Sequence, residues 1–204
     1  MFSKLRSLIF KIDPETAHNI AIKALKLNFL PEYKKILESE EILNCKLFGK
    51  KITNPIGLAA GFDKSAEAYN SLFKLGFGFI EVGTVTPIKQ YGNPKPRIFR
   101  LEEDEALINR LGFNNSGSDK IRERLLNQKP LGLLGVNIGP NKESKNRSND
   151  YLECLRKFHD ISDYLTINIS SPNTEGLRDF HNQKELEKLL NGIGKIKKDK
   201  NITK

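Results

Sequence analysis

Four apolar, strand-like segments alternate with segments of helical periodicity along most of this chain of 204 residues. The strand-like segments are residues 55–60, 78–83, 131–138 and 164–170, and helical spacing of apolar residues is found at 65–75, 118–127, 149–160 and 183–197. Such alternation indicates a parallel sheet whose strands are joined by right-handed helical crossovers. The β-branched, apolar character of the fourth segment is typical of a strand buried on both faces. The sequence therefore predicts an α/β fold built on four parallel strands.

Polar side chains lie at the carboxyl end of each predicted strand. Lys64 comes after the first strand, Thr84 after the second and Asn137 at the end of the third, while Asn168 and Ser171 close the fourth. Because parallel strands bring their carboxyl ends to one edge of a sheet, these groups are expected to form a single site. Each of them taken singly also fits an ordinary exposed turn. Four strand ends of the same character favour the site.

The residue types at these strand ends suit hydrogen bonding to a flat heterocycle. An asparagine amide places a donor beside an acceptor, which matches the N–H and C=O edge of a flavin or a pyrimidine. Small residues at Ala59, Ala60 and Gly61 would let the backbone approach such a ring closely. The segment 57–64, GLAAGFDK, is neither a Walker loop nor a Gly-x-Gly-x-x-Gly motif, and no Gly-x-Ser-x-Gly elbow surrounds Ser171. We therefore predict a site for a planar ring.

Charge and cysteine content exclude several other classes of site. The formal net charge is +9, but the basic residues are spread along the chain without the interleaved aromatic residues of single-strand binders, so no nucleic-acid partner is predicted. Cys45 and Cys154 are far apart, and neither a Cys-x-x-Cys motif nor His at metal-ligand spacing is present, so no metal site is predicted. A membrane span would need a run of about 18 apolar residues, which the sequence lacks.

Residues 1–42 have the pattern of short amphipathic helices. Asp13 followed by Pro14 is typical of a helix N-cap and its first helical residue. The first eleven residues combine large apolar side chains with basic ones, the balance expected of a helix that lies in a membrane interface. These residues are Phe2, Leu5, Leu8, Ile9 and Phe10, with Lys4, Arg6 and Lys11. Packing of the same face against the rest of the chain is the alternative, and the pattern leaves both open.

Two further segments have hairpin character. Residues 47–52 are centred on Gly49, which suits a tight turn between two short strands. The longer excursion 87–115 contains GNPKPRIFR at 92–100, which is too rich in proline for a central strand but suits an ordered hairpin or lid.

Six motifs together carry a family resemblance. They are GLAAGFDK at 57–64, FIEVGTVTP at 79–87, GNPKPRIFR at 92–100, INRLGFN at 108–114, VNIG at 136–139 and NISSPNT at 168–174. On these motifs the chain resembles the dihydroorotate dehydrogenases, and its helical amino terminus resembles the extension of their membrane-associated, quinone-reducing class 2 form. The resemblance implies an FMN-dependent (β/α)8 TIM barrel that oxidises dihydroorotate to orotate in pyrimidine synthesis. It also implies electron transfer to a membrane quinone and peripheral association with the cytoplasmic face of the inner membrane.

The resemblance assigns roles to individual residues. Ser171 matches the catalytic base of class 2, where class 1 enzymes place a cysteine. Residues that match substrate contacts are Lys64, Asn109, Arg110, Leu111, Gly112, Phe113, Asn168 and Asn173. Residues that match flavin contacts are Ala60, Gly61, Phe62, Asp63, Lys64, Thr84, Asn137 and Asn168. His18 and Arg100 fall where the family lines its quinone tunnel.

Chain length limits what this polypeptide is expected to form. A (β/α)8 barrel typically takes about 250 residues, whereas this chain supplies about four β/α units. We therefore expect residues 43–204 to form the first half of a TIM barrel and residues 1–42 to form a helical, membrane-associating extension. The chain alone is expected to be inactive, because the resemblance places a further flavin-contacting lysine and the phosphate-binding loops in the second half. Two alternatives stay open: another FMN barrel that oxidises a pyrimidine, and an inactive fragment that acts only as a basic interaction module.

Overall fold

The computed structural model describes residues 2–27 and 41–202, without the side chains of residues 2–5. Two helices, α1 (Phe2–Ile9) and α2 (Pro14–Lys26), precede a short hairpin of β1 (Cys45–Leu47) and β2 (Lys50–Ile52). The elements that follow are β3 (Gly57–Leu58), α3 (Tyr69–Lys74), β4 (Phe79–Val85), β5 (Ile98–Leu101), β6 (Ala106–Asn109), α4 (Ser118–Asn127), β7 (Leu133–Ile138), α5 (Arg147–Phe158), β8 (Tyr164–Ile167) and α6 (Gln183–Asp199). Short 3₁₀ turns occupy Glu41–Leu43 and Leu177–His181.

The predicted parallel sheet is present, with the strand order β3-β4-β7-β8. Neighbouring strands pair in parallel, and a helix follows each strand along the chain. The hydrophobic core lies between these helices and one face of the sheet, where Ile80, Val82, Val136 and Ile138 are fully buried. The other face carries polar side chains. The arrangement fits a partial TIM barrel, in which helices cover the outside of a parallel sheet.

Strand β8 is less buried than the sequence predicts. All residues of Tyr164–Ile167 are only partly buried. Strand β8 is the outermost strand of the sheet within the described part of the chain, so only its β7 side is covered by a neighbouring strand. The prediction of a strand buried on both faces is therefore wrong, because an apolar run does not reveal whether a strand is central or outermost.

The first β/α unit also differs from its predicted bounds. Strand β3 covers only Gly57–Leu58, and α3 begins at Tyr69 rather than at residue 65. The Asp63 carboxylate accepts hydrogen bonds from the backbone N–H groups of Glu67 (2.7 Å) and Ala68 (2.7 Å). These bonds hold the segment before α3 in turns, since an aspartate side chain competes with the helical hydrogen-bond pattern. Helix α4 has the predicted bounds, α5 begins and ends two residues earlier than predicted, and α6 begins as predicted but ends two residues later.

The predicted hairpin at residues 47–52 is confirmed by the antiparallel pairing of β1 and β2. Phe48 and Gly49 form its turn with φ values of 49° and 76°, the conformation that a two-residue hairpin loop requires. The hairpin packs against the start of β8, where the rings of Phe48 and Tyr164 lie 5.0 Å apart. An ion pair between Lys50 and Asp163 adds to this contact. The hairpin thus covers the amino end of the outermost strand.

The excursion at residues 87–115 is an ordered hairpin, as predicted. Strands β5 and β6 pair antiparallel, and backbone hydrogen bonds of 3.1 and 3.0 Å between Gln90 and Asn115 close its base. Helix α2 docks on this hairpin through an ion pair between Glu15 and Arg97, whose side chains are 10% and 7% exposed. The hairpin therefore joins the amino-terminal helices to the sheet.

Two amphipathic helices form within residues 2–27, as predicted, while residues 28–40 of the predicted extension 1–42 lie outside the described residues. Asp13 caps α2 by accepting from the backbone N–H of Thr16 (2.8 Å). The link between α1 and α2 is fixed to the hairpin by Arg100, which donates to the carbonyl oxygens of Phe10 (3.2 Å) and Ile12 (2.8 Å). The Arg100 guanidinium also lies over the Phe10 ring, 4.7 Å from its centroid.

Part of the apolar surface of these helices is exposed. Leu8 and Ile20 are 62% and 52% exposed, whereas Leu25 is buried in the core. The side chains of Phe2 and Leu5, which belong to the predicted membrane-facing set, lie outside the described residues. The amphipathic pattern therefore serves core packing at Leu25 and leaves other apolar side chains uncovered. Within residues 2–27 and 41–202, none of the helices combines the length and the hydropathy needed to cross a membrane.

Candidate active site

A hydrogen-bonded network of polar side chains covers the face of the sheet opposite the helices. Glu81 of β4 accepts from Asn137 Nδ2 of β7 (2.8 Å) and from Thr166 Oγ1 of β8 (2.9 Å). Thr84 Oγ1 donates to Asn137 Oδ1 (2.7 Å), and Asn168 Nδ2 lies 3.0 and 3.2 Å from these two oxygens. The structure thus brings the predicted residues Thr84, Asn137 and Asn168 together.

We call this set the inner-face network; Thr84 and Asn137 are its buried members, whereas Glu81, Thr166 and Asn168 are partly buried. Thr84 and Asn137 are each only 6% exposed. Glu81 alternates along β4 with the fully buried Ile80 and Val82, so its carboxylate lies on the other face of the sheet. Buried polar groups are stable when they are hydrogen bonded, and mutual bonding holds each of these groups in one orientation.

The loop after β8 carries Ser171 beside the inner-face network. Asn168 Oδ1 accepts from the backbone N–H (3.2 Å) and the hydroxyl (3.3 Å) of Ser170. Ser171 Oγ in turn accepts from the backbone N–H of Asn173 (3.3 Å). Successive side-chain turns of this kind place Asn168, Ser171 and Asn173 close to one another. The three residues predicted for proton transfer and substrate binding therefore lie on one short loop.

Two side chains hold the backbone of this loop from the helical side. The Tyr151 hydroxyl of α5 donates to the carbonyl oxygen of Asn168 (2.6 Å). Arg178 Nε donates to the carbonyl oxygen of Ser170 (3.2 Å). Tyr151 is fully buried, and burial raises the pKa of its hydroxyl, so it is a protonated donor at all ordinary pH values. The loop is thus anchored to the core just before Ser171.

The predicted substrate-binding run 109–113 passes beside the loop after β8. Asn173 Nδ2 donates to the carbonyl oxygen of Asn109 (3.3 Å), which closes the gap between the two segments. Asn93 Nδ2 donates to the carbonyl oxygen of Arg110 (2.9 Å). The Arg110 guanidinium itself donates to the hairpin, at the carbonyl oxygen of Pro96 (3.3 and 3.0 Å).

The end of this run is fixed against the inner-face network. Gln90 Nε2 donates to the carbonyl oxygen of Gly112 (2.9 Å). Phe113 has a φ of 54° and packs against the core. A Cβ added at Gly139 would lie 3.1 Å from the Phe113 ring and 2.7 Å from Thr84 Cγ2, so the glycine lets both side chains approach the backbone at this position. Phe113 therefore lies where it can keep water from the network.

A cavity of about 670 Å³ lies between α2, the loop after β3 and the β5–β6 hairpin. Predicted site residues that line it are His18, Ala60, Gly61, Phe62, Asp63, Lys64, Arg100, Asn109 and Leu111. The structure therefore places most of the predicted residues in two groups, one around this cavity and one in the inner-face network with the loop after β8, while Arg110 and Gly112 belong to neither. The hydrogen bond from Asn173 to Asn109 joins the two groups.

Two basic side chains of the cavity have altered acidity. Lys64 Nζ donates to the carbonyl oxygen of Gly61. Burial lowers the pKa of Lys64, against the opposing attraction of Glu15. Burial is the main cause that lowers the pKa of His18, and the charge of Lys64 is the second. The His18 ring lies edge-on to the Phe62 ring, with 5.0 Å between the centroids. His18 is therefore neutral at neutral pH.

Asp63 lies at the cavity, but its carboxylate has a structural task. The residue is 2% exposed, and its two oxygens accept from the backbone N–H groups that precede α3. Burial raises the pKa of this carboxyl group, while those two hydrogen bonds act in the opposite direction. The predicted flavin contact of Asp63 stays a prediction. Because these hydrogen bonds occupy the carboxylate, only the backbone of Asp63 is available for such a contact.

Sequence reasoning missed three polar residues of the site. Glu81 and Thr166 belong to the inner-face network, and the signal for Glu81 was a charged residue in the middle of an otherwise apolar strand. Asn114 lines the cavity, and its buried Oδ1 has no hydrogen-bond partner among the described residues. It lies in the motif at 108–114, but no spacing rule distinguished it from its neighbours. A buried acceptor without a partner, in a residue that lines a cavity, is a candidate for ligand contact.

A family model described as dihydroorotate dehydrogenase matches residues 42–203. The chain belongs to the dihydroorotate dehydrogenase family. Among relatives of this family, the dihydroorotate dehydrogenase (quinone) of Bartonella henselae is 50% identical over 194 residues, which make up 95% of this chain and 53% of that protein. The protein of the same name from Rhodospirillum rubrum is 48% identical over 183 residues, 90% of this chain and 49% of that one.

Solved structures of the dihydroorotate dehydrogenase family share the fold. A crystal structure of DHODH from Eimeria tenella in complex with ferulenol matches with a TM-score of 0.81 at 42% identity, over 88% of this chain and 50% of that one. The chain spans about half the length of the curated relatives it matches. The family membership predicted from the six motifs is thus confirmed.

Proposed function

We propose that the protein containing this chain oxidises dihydroorotate to orotate in pyrimidine biosynthesis, with FMN as cofactor and a membrane quinone as electron acceptor. The observation that carries the proposal is the convergence of Thr84, Asn137 and Asn168 from three strands beside the loop of Ser171. Relatives about half identical to the chain are named dihydroorotate dehydrogenase (quinone), which supports the same reaction here. The proposed complete fold is a (β/α)8 TIM barrel, with its first half in residues 43–204.

The residues present fit a flavin ring. Ala59, Ala60 and Gly61 line the cavity with little more than backbone. A Cβ added at Gly61 would meet no atom within 4 Å, so the space above this backbone is open to a flat ligand. Thr84 and Asn137 would hold the edge of the ring by hydrogen bonds. When bound, FMN supplies the two-electron acceptor that takes hydride from the substrate.

Amides and one lysine are proposed to bind dihydroorotate. Asn109 and Asn173 contact each other, and Asn173 and Asn168 lie on one loop, so their amides can meet the N–H and C=O groups of one pyrimidine ring. Lys64 is proposed to balance the negative charge of the substrate carboxylate or of the reduced ring system. Its partly desolvated position strengthens such an interaction, because a lower local dielectric weakens screening.

Ser171 is proposed to remove the proton from C5 of dihydroorotate while hydride leaves C6. A serine hydroxyl is a weak base at neutral pH, so the step needs a dry site and coupling to loss of the hydride. The fixed loop supports this role, since the hydroxyl already accepts a hydrogen bond from the Asn173 N–H. Phe113 supports it too, because its ring lies beside Gly139, close to Thr84 of the inner-face network.

The part of the same cavity next to α2 is proposed to receive the quinone, beside the part proposed for the flavin. His18 and Arg100 both line it, on the side facing the amino-terminal helices. Exposed Leu8 and Ile20 on these helices, together with nearby basic residues, support peripheral binding to a membrane surface. The proposed location is the cytoplasmic face of the inner membrane.

Replacing Ser171 by alanine in the full-length enzyme tests the proposal. Dihydroorotate is mixed anaerobically with the enzyme, and the bleaching of the flavin is followed by absorbance. We expect Ser171→Ala to slow bleaching by about 100-fold or more, the range of a lost general base, with flavin content unchanged. Ser170→Ala is the matched control, since its hydroxyl contacts Asn168 alone in this loop.

Two results would contradict the proposed function. Equal losses of flavin content and of bleaching rate in Ser171→Ala would make Ser171 structural. If another reduced pyrimidine, but not dihydroorotate, bleaches the wild-type flavin, the protein is a different FMN barrel oxidoreductase that acts on a pyrimidine.

A further inference from the structure

The hydrogen bonds of Glu81 have a fixed direction. Its Oε1 accepts from Asn137 Nδ2 (2.8 Å), and its Oε2 accepts from Thr166 Oγ1 (2.9 Å). An ionised carboxylate can only accept hydrogen bonds. Asn137 must therefore turn its NH₂ group toward Glu81 and its carbonyl oxygen toward Thr84 and the carboxyl end of the sheet.

The orientation of the Asn137 amide in turn fixes the orientation of the Asn168 amide. Asn137 Oδ1 is the acceptor for the Thr84 hydroxyl (2.7 Å) and for Asn168 Nδ2 (3.2 Å). Because Asn168 directs its NH₂ group to these partners, its Oδ1 faces the N–H of Ser170 (3.2 Å). One carboxylate thus decides which side of each of two amides is donor and which is acceptor.

The surroundings of Glu81 hold it in this position. Glu81 is in register with Gly135 of β7, and Gly135 with Tyr164 of β8. A Cβ at Gly135 would lie 2.1 Å from the Tyr164 ring, so the ring packs over the glycine. Because Gly135 lies between Tyr164 and Glu81 in register, the ring extends toward Glu81. Burial and the charge of Glu81 raise the pKa of the Tyr164 hydroxyl, which keeps that hydroxyl protonated.

We propose that Glu81 is a positioning residue that orients the Asn137 and Asn168 amides toward the flavin and the substrate. The inference rests on the proposed function, in which these amides bind the two rings. An amide that rotates by half a turn exchanges its donor and its acceptor. The N–H and C=O groups of a bound ring would then face groups of their own kind, and the reacting atoms would be misplaced.

The test compares Glu81→Met with Glu81→Gln in the full-length, FMN-loaded enzyme. Methionine keeps the length of the side chain but removes the acceptor, so the Asn137 amide is free to rotate. Glutamine restores an acceptor for Asn137 Nδ2, and its own NH₂ group can donate to the Thr166 hydroxyl. Thr166→Val is the matched control, because it removes the Thr166 hydroxyl from Glu81 Oε2 and keeps the bond from Asn137 to Glu81 Oε1.

The measured quantity is the rate constant of flavin bleaching by dihydroorotate, expressed per bound flavin. We expect a loss of about tenfold in Glu81→Met, and rates within about threefold of wild type in Glu81→Gln and Thr166→Val. A purely structural role would lower yield and melting temperature but leave the rate per bound flavin unchanged, and that result overturns the inference. An equal loss in Glu81→Gln also overturns it, since charge rather than hydrogen-bond direction would then be responsible.

If Glu81→Met does not fold, a second pair of variants decides. Asn137→Asp faces Glu81 with another carboxylate, whereas the double variant Glu81→Gln with Asn137→Asp re-forms a hydrogen bond between the two positions in the reverse direction, and the second oxygen of the new carboxylate still accepts from Thr84 and Asn168. We expect the double variant to bleach at least about fivefold faster than Asn137→Asp alone, and a double variant no faster than the single one overturns the inference.

The inference and the proposed function fail in different ways. If dihydroorotate does not bleach the wild-type flavin, the proposed function fails, and the flavin dissociation constant becomes the readout for Glu81. It is expected to rise about tenfold in Glu81→Met and not in Glu81→Gln, and equal constants overturn the inference.

Discussion

Glu15 and Arg97 form a buried, two-point ion pair between α2 and the β5–β6 hairpin. Arg97 Nε lies 3.0 Å from Glu15 Oε2, and Arg97 Nη2 lies 2.6 Å from Glu15 Oε1. The remaining nitrogen, Nη1, donates to the carbonyl oxygens of Tyr91 (2.6 Å) and Asn93 (2.8 Å). One guanidinium thus ties the helix to the turn that supports the predicted substrate-binding run.

Replacement of Arg97 by alanine is expected to destabilise the protein by about 3 kcal/mol, because it leaves the Glu15 carboxylate buried without its partner. Lys95→Ala is the control, since Lys95 also approaches Glu15 (3.5 Å) but is 61% exposed, and its loss is expected to be less than about 1 kcal/mol. The measurement is the free energy of unfolding in urea. Similar losses in both variants would show that the buried geometry of Arg97 adds nothing.

The same ion pair predicts a sensitivity to acid. The hydrogen bonds and charge of Arg97 lower the pKa of Glu15 below its ordinary value of 4.5 despite opposing desolvation. The unfolded chain therefore takes up this proton at a higher pH than the folded one, so the contribution of Glu15 is complete above about pH 4.5 and is lost as the pH falls through the folded pKa. Glu15→Gln should give a flatter dependence of melting temperature on pH below this value. Parallel curves for the two proteins would exclude Glu15 as the group responsible.

Tyr151→Phe is expected to lower both stability and rate. It removes the hydrogen bond to the Asn168 carbonyl and should cost about 1 kcal/mol of unfolding free energy, together with a several-fold slower flavin bleaching by dihydroorotate. Tyr69→Phe is the matched control, because this equally buried tyrosine donates to the Gln128 carbonyl on the helical side. Its stability should fall by a similar amount with no change in rate. A slower rate in both variants would point to general loosening of the core.

Gly61→Ala is expected to weaken FMN binding by about tenfold or more, because the added methyl group would occupy the space proposed for the ring. Gly49→Ala is the control: Gly49 also has a positive φ, and an added Cβ there also meets no atom within 4 Å. Both substitutions strain the backbone, but Gly49 lies in the turn between β1 and β2. Flavin titration by fluorescence gives the two dissociation constants. Equal constants would remove Gly61 from the flavin site.

The chain of 204 residues expressed alone is expected to hold FMN poorly and to self-associate. In the described residues β3 and β8 are the outer strands of the sheet, and open strand edges pair readily with other chains. Gel filtration with absorbance of the protein peak at flavin wavelengths measures both properties. A yellow monomer that reduces a quinone analogue with dihydroorotate would contradict this expectation.

The parts of the fold that the sequence predicted are those with a strong local signal. Ile80, Val82, Val136 and Ile138 are fully buried, so the central strands appear as apolar runs that leave little choice of structure. Helix α4 has its predicted bounds because its apolar residues repeat regularly and Gly117 precedes it. The start of α3 was missed because the hydrogen bonds of one aspartate override a helical pattern.

The parts that the sequence could not predict depend on partners far apart along the chain. Glu81 bonds to side chains 56 and 85 residues away, and Glu15 to one 82 residues away. No local pattern shows that a charge within a strand will find two partners on two other strands. Asn168 and Ser171, in contrast, could be predicted as site residues, because a dense polar cluster directly after an apolar strand is itself a local signal.

The order of strands in the sheet is also the order in which a ribosome would deliver them. Strand β4 pairs with β3, β7 with β4, and β8 with β7, so each new strand finds its partner already made. The β5–β6 hairpin emerges between β4 and β7 and can close on itself by local contacts. The sheet can therefore be built in one direction without breaking a strand pair that has already formed. In the proposed barrel, the next strand would pair with the open side of β8.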